Sequence, residues 1–197
     1  MSQALRHTPP PSRMTVDEFL VWDSGDRSGR RWQLVDGVPV AMAPASENHG
    51  AIQGELARLI GNHLIEHRPR CRVITEPGVI PRLHAGENWR IPDLGVTCAP
   101  PHPGIEIAAP VLLVEILSPN NYAETRANVW TYTTLPSVAE ILVVNVARIE
   151  AELLRRGGDG AWPEQPAILG NDDALMLDSI GLVLPLRAVY RTTSLLG

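Results

Sequence analysis

Two acids stand in this chain where a carboxylate is costly to place. In Arg90-Ile91-Pro92-Asp93-Leu94-Gly95-Val96-Thr97-Cys98, Asp93 follows a proline at the start of a short strand-like run. In Val111-Leu112-Leu113-Val114-Glu115-Ile116-Leu117, Glu115 sits near the middle of a run that otherwise reads as a buried strand. A lone carboxylate there must be paired, protonated or bound to a metal. Two acids on neighbouring strands, with room for an ion between their ends, would hold Mg²⁺ or a similar hard cation. The plainer alternatives are an Asp93 capped by backbone amides and a Glu115 paired with an arginine such as Arg90.

The elements that must position these acids can be read from spacing and punctuation. Thr15-Val16-Asp17-Glu18 is a capping-box signature, and its helix is expected to end near Ser24-Gly25. Asp36-Gly37 between Trp32–Val35 and Val38–Met42 signals a hairpin, with Pro39 marking an edge or irregular strand. Ser46 opens a long helix through about His67, whose buried stripe is Ile52, Leu56, Leu59, Ile60 and Leu64. His49 and Gln53, one turn apart, could face a site, although a surface histidine near a helix start is the simpler reading of His49. Strands are expected over Arg70–Ile74, Val79–Leu83, Arg90–Cys98 and Val111–Leu117. A helix follows over Asn120–Leu135, with Val129, Trp130 and Tyr132 as packing residues. Ala139–Ala147 and Ile149–Arg155 read as strands, and the remainder as peripheral strands. The fold class expected is α/β, a mixed β-sheet flanked by helices. Residues 1–13 read as a flexible tail and 14–197 as one domain.

Composition narrows the chemistry. All 17 basic residues are arginine and the chain has no lysine, so no side-chain amine can act as acid, base or Schiff-base former. The net charge of -5 gives no global pull on nucleic acid, so such binding would need a local patch; Arg30, Arg31, Arg82 and Arg90 are candidates. No apolar run approaches a membrane span, and the start does not resemble a signal peptide. Cys71 and Cys98 give neither a metal pattern nor a disulfide framework, and read as reduced thiols in a cytoplasmic protein.

Pro-Asp at one strand and an acid in another some twenty residues on resemble the first part of the PD-(D/E)XK nuclease motif. Met14-Thr15-Val16-Asp17-Glu18-Phe19-Leu20, Leu34-Val35-Asp36-Gly37, Ala43–His49, Ile91-Pro92-Asp93-Leu94 and Val114-Glu115-Ile116-Leu117-Ser118-Pro119 occur in the order of one family. Over roughly residues 14 to 150 the chain resembles the Uma family of restriction-endonuclease-like nucleases. The resemblance implies a restriction-endonuclease-like fold, Mg²⁺ or Mn²⁺ as cofactor and DNA as partner. It places Asp93 and Glu115 as metal-binding acids, with the carbonyl of Ile116 as a further ligand. Such ions activate a water and stabilise charge on the scissile phosphate.

Two positions depart from the family pattern. Its glutamate before the hairpin turn is Gln33 here, and its lysine falls on Asn128, four residues ahead of Tyr132. The acid one turn earlier is kept in kind as Glu124. Gln33 and Asn128 are expected to help position water without supplying charge, or, as the alternative, Asn128 and Glu124 lie on a solvated helix face. The function expected is metal-dependent endonucleolytic hydrolysis of DNA. The alternative is a nuclease-fold module that has lost catalysis and binds nucleic acid or a protein. A metal-free acid pair acting on sugars is a third reading. A homodimer would suit double-strand cleavage by symmetry, without a segment that demonstrates one.

Overall fold

The computed structural model describes residues 13–119 and 121–196. The expected N-terminal tail falls, apart from Arg13, outside these residues.

Thr15 and Glu18 satisfy each other's backbone N–H groups in the expected capping box. The helix they start, α1, is only Val16–Leu20, shorter than the sequence suggests. Asp36 and Gly37 both adopt positive φ, 47° and 80°, as a two-residue hairpin turn requires. They join β1 (Trp32–Val35) to β2 (Val38–Ala41) in a separate two-stranded sheet. Met14, Val16, Phe19, Leu34 and Trp89 bury this corner of the molecule.

Ser46 caps α2 (Glu47–His67), accepting from the His49 N–H at 3.3 Å. The 21-residue helix lays Ile52, Leu56, Ile60 and Leu64 on one face of a six-stranded sheet. That sheet runs β3 (Arg72–Thr75), β4 (Leu94–Thr97), β5 (Pro110–Leu117), β6 (Glu140–Asn145), β7 (Ala151–Arg155) and β8 (Ala167–Leu169). Only β5 and β6 pair in parallel, and α3 (Tyr122–Tyr132) connects them. A parallel step needs such a crossover, whereas the antiparallel neighbours are joined through shorter connections. The expected mixed sheet with flanking helices is therefore the observed fold.

Alternation along β5 divides the core. Leu112, Val114 and Ile116 pack toward α2, and Leu113 and Leu117 pack with Val129 and Tyr132 of α3. Glu115 shares the parity of Leu113 and Leu117 and so faces α3. A second hairpin, β9 (Ala174–Leu177) with β10 (Leu182–Pro185), caps the α2 side through Leu175, Leu177 and Leu182.

Three expectations are corrected here. Val79–Leu83 is not a strand: only Val79 bridges, to Arg90, and the Arg90–Cys98 strand contracts to β4. Gly78 is the reason the chain can pass this point, because an added Cβ would overlap the Trp89 ring. The third concerns Cys71 and Cys98, which form a disulfide rather than two free thiols. Register explains it. Arg72 pairs with Thr97, so the next residues outward, Cys71 and Cys98, fall opposite each other, with Cα atoms 3.9 Å apart. A cysteine pair 27 residues apart carries no sequence cue to that register. The cytoplasmic expectation thereby loses the support that it drew from free thiols. No helix among the described residues is long and apolar enough to cross a membrane.

Closing this loop constrains the unfolded chain by about 3 kcal/mol. Urea unfolding with and without dithiothreitol should show a loss of that order on reduction, absent in Cys71→Ser/Cys98→Ser. An identical midpoint in both conditions would contradict the linkage.

Candidate active site

The ladder sets the acids against each other. Leu94 pairs with Val114 in the β4–β5 register, so Asp93 and Glu115 are opposed one step further along. Both are buried, at 8% and 4% exposure, and both line a cavity of about 620 Å³. A backbone amide and a histidine ring hold the Asp93 carboxylate, one at each oxygen. The Ile116 N–H donates to its Oδ2 at 2.6 Å, and His49 Nε2 lies 3.1 Å from its Oδ1. The Gln53 amide donates to the Asp93 carbonyl at 3.0 Å. The first two turns of α2 thus deliver both polar residues of the i, i+4 pair to one acid.

Glu115 has different company. The Tyr132 hydroxyl donates to its Oε1 at 2.7 Å and the Asn128 amide to the same oxygen at 3.2 Å. Asn128 and Tyr132 are one turn apart on α3, and Glu124 lies one turn before Asn128. The Asn128 amide also donates to Gln33 Oε1 at 3.3 Å, and Gln33 accepts from the Ile91 N–H at 3.0 Å and donates to Glu124. Gln33 and Asn128 are almost wholly buried, at 1% and 2% exposure.

Several sequence expectations are settled by these contacts. Asp93, Glu115, Gln33 and Asn128 come together at one cavity. Asn128 is not on a solvated helix face, and Glu124 turns toward the cavity beside it. His49 is buried against Asp93 rather than exposed. Ile116 is at hand, but its N–H binds Asp93 while its carbonyl accepts from the Asn121 amide at 3.2 Å. Arg90 does not pair with Glu115 and cannot edge a surface, since it is 3% exposed. Arg30 and Arg31 do line the cavity. They are paired, Arg30 with Asp26 and Arg31 with Glu76. Tyr132 and Asn88 were missed as polar partners. A tyrosine at helical spacing reads as packing, and nothing in the sequence shows that its hydroxyl meets an acid 17 residues away.

The chain matches, over residues 16–187, the Uma2 family, described as "Putative restriction endonuclease". It belongs to the Uma2 family. The match runs past the region of resemblance visible by eye and takes in the sheet's far edge and β9–β10. A solved structure titled as a putative nuclease of DUF820 from Anabaena variabilis superposes with a TM-score of 0.71 at 20% identity, covering 90% of this chain and 97% of that one. At that identity the likeness speaks for the fold. No curated protein matches.

The Uma2 site is electrostatically tense. Burial, and then the negative charge of Asp93, push the Glu115 carboxyl well above its ordinary 4.5, against the hydrogen bonds from Tyr132 and Asn128. Burial likewise raises Glu124, with the Gln33 contact opposing it. Burial raises the Tyr132 hydroxyl as well, and the charge on Glu115 adds to that. Two opposed carboxylates in a water-accessible cavity are a natural seat for a divalent ion, which would relieve their repulsion. The carboxylates of Asp93 and Glu115 are the donors on hand; the Gln33 amide oxygen and the Ile116 carbonyl already accept hydrogen bonds, and the neighbouring nitrogen, His49 Nε2, lies against Asp93. A carboxylate pair suits Mg²⁺ or Mn²⁺ rather than zinc. Among the described residues no three His, Cys, Asp or Glu side chains are arranged to hold a metal ion together, so an ion on this acid pair would keep water in its remaining positions.

The raised Glu115 pKa fixes a sign. The folded protein holds this proton above 4.5 and the unfolded chain releases it. Metal-free stability contributed by Glu115 therefore falls as pH rises through that window. Relative to the parent, Glu115→Gln should gain stability with pH, by up to about 1.4 kcal/mol per pH unit. Urea midpoints between about pH 5 and about pH 8 measure it. Parallel pH profiles for parent and variant would show that Glu115 titrates normally.

Proposed function

We propose that this Uma2 chain is a metal-dependent endonuclease hydrolysing phosphodiester bonds in DNA, with Asp93 and Glu115 as ligands of Mg²⁺ or Mn²⁺. The observation that carries the reading is the in-register opposition of the two buried acids in the lining of a cavity of about 620 Å³. The family's description and the nuclease-like fold of the Anabaena variabilis protein support it.

When bound, a divalent ion supplies a Lewis acid that acidifies water and offsets negative charge on the phosphodiester. The chain's own residues do the rest. Ile116 N–H and His49 fix the Asp93 carboxylate so that it cannot swing to meet solvent. Tyr132 and Asn128 hold Glu115 Oε1, which leaves Oε2 free for the cavity. Gln33, anchored by the Ile91 N–H and by Glu124, presents neutral amide polarity where a charged acid would add repulsion. Arg30 and Arg31, which line the cavity, would meet the flanking phosphates by exchanging their present carboxylate partners for DNA.

A second reading, a module that binds without cutting, rests on the absence of an amine at Asn128 and of an acid at Gln33. One assay separates the two. Purified protein is incubated with supercoiled plasmid and Mn²⁺ or Mg²⁺, beside Asp93→Ala and Glu115→Ala. Nicking is expected for the parent, abolished by chelator and reduced by about 10²-fold or more in either variant. Plasmid retained on the protein but uncut would favour the binding module.

A further inference from the structure

Arg90 is a buried cation that forms no salt bridge among the described residues. Its side-chain hydrogen bonds go to neutral amide oxygens, Asn88 Oδ1 at 2.9 Å and Asn128 Oδ1 at 3.2 Å, and among the described residues its Nε has no partner. Burying a guanidinium on such terms is unfavourable unless charges further off compensate. Burial lowers its pKa, and the opposing pull comes from Tyr132, Asp36, Glu124 and Glu115, yet an arginine remains charged. The cation is therefore held for the sake of its surroundings.

Those surroundings run in one direction. A guanidinium can only donate, so Arg90 forces the Asn128 oxygen toward itself. The Asn128 Nδ2 must then face the other way, where its two hydrogens meet Glu115 Oε1 and Gln33 Oε1. Gln33, with its oxygen so occupied, turns its own amide nitrogen to Glu124. Every link from Arg90 to the cavity thus has a fixed polarity, each donor strengthened by the one behind it. The far end is fixed as well. Asn88, fully buried, is held by the Asp36 N–H at 3.0 Å and donates back to Asp36 Oδ1 at 3.0 Å. The hairpin turn that begins β2 therefore anchors the arginine.

We propose that Arg90 is a positioning residue that, through Asn128, aims a polarised amide N–H at Glu115 and sets a buried, fixed positive charge behind the acid pair of a lysine-free chain. The proposal rests on the nuclease reading for its consequence, faster phosphodiester hydrolysis, but not for the geometry that it asserts.

The test uses the full chain and three variants, Arg90→Gln, Arg90→Lys and Arg90→Gln/Asn128→Lys. Two readouts are taken: plasmid nicking in Mn²⁺, and the hydrogen-exchange rate of the Asn128 side-chain amide by ¹⁵N NMR. Arg90→Gln should release the Asn128 amide by roughly tenfold in exchange. It should lower kcat by roughly 30-fold with KM for plasmid little changed, since the charge acts in the transition state. Arg90→Lys keeps the charge but not the fork that reaches both asparagines, and should fall between; it serves where Arg90→Gln fails to fold. The double variant moves the cation to position 128 and should recover rate beyond Arg90→Gln. Unchanged amide exchange and rate in Arg90→Gln or Arg90→Lys would overturn the proposal, as would a double variant slower than the single. If the parent cuts no DNA, the nuclease reading falls, and amide exchange alone decides whether Arg90 sets Asn128.

Discussion

Everything at this site follows from burying the carboxyl of Glu115 in the middle of β5. The strand needs apolar residues on both faces because α2 covers one and α3 the other. Placing an acid there forces α3 to bring polar groups into its packing face, and Asn128 and Tyr132 are those groups. Two hydrogen bonds do not offset the loss of water around a charge, so the acid keeps its proton to unusually high pH. Asp93, opposed to it across the ladder, raises the tension further. A fold that maintained this arrangement for stability alone would do better with a leucine. The cavity in front of the acids gives the tension an outlet, since a cation entering there is attracted by both.

The sheet and its supports show how few residues are needed to aim such a pair. β4 and β5 fix the separation by register, the capped start of α2 fixes the orientation of Asp93, and α3 fixes that of Glu115. The β1–β2 hairpin closes the cavity with Gln33 and, through the Asp36 turn, reaches Asn88 and Arg90. The β4–β5 ladder, α2, α3 and the β1–β2 hairpin therefore all meet at two carboxylates. The disulfide between Cys71 and Cys98 lies at the other end of the β3–β4 pair and ties the strand that delivers Asp93 to the sheet edge.

Much of this was legible in the chain. Apolar periodicity gave α2 and its buried stripe, the Asp-Gly pair gave the hairpin, and the unlikely placement of Asp93 and Glu115 marked the acids before any fold was known. What sequence did not yield are contacts set by register and by helix rotation. Whether Asn128 faces solvent or Glu115 depends on a rotation of α3 that its mixed pattern of threonine, alanine and tyrosine hardly specifies. His49 near a helix start looks like surface because its burial comes from the sheet, not from its neighbours. Arg90 invited pairing with Glu115 by charge, whereas its fork is taken by two asparagines, Asn88 and Asn128. Cys71 and Cys98 became partners only through the β3–β4 register.

The central claim is that Asp93 and Glu115 together hold a divalent ion, and locating that ion tests it most directly. Crystals soaked in Mn²⁺ can be measured at the manganese absorption edge. The account predicts an anomalous peak between the two carboxylates, lost in Glu115→Ala crystals. A saturating soak that leaves this position empty, or puts manganese elsewhere in the cavity, would contradict it.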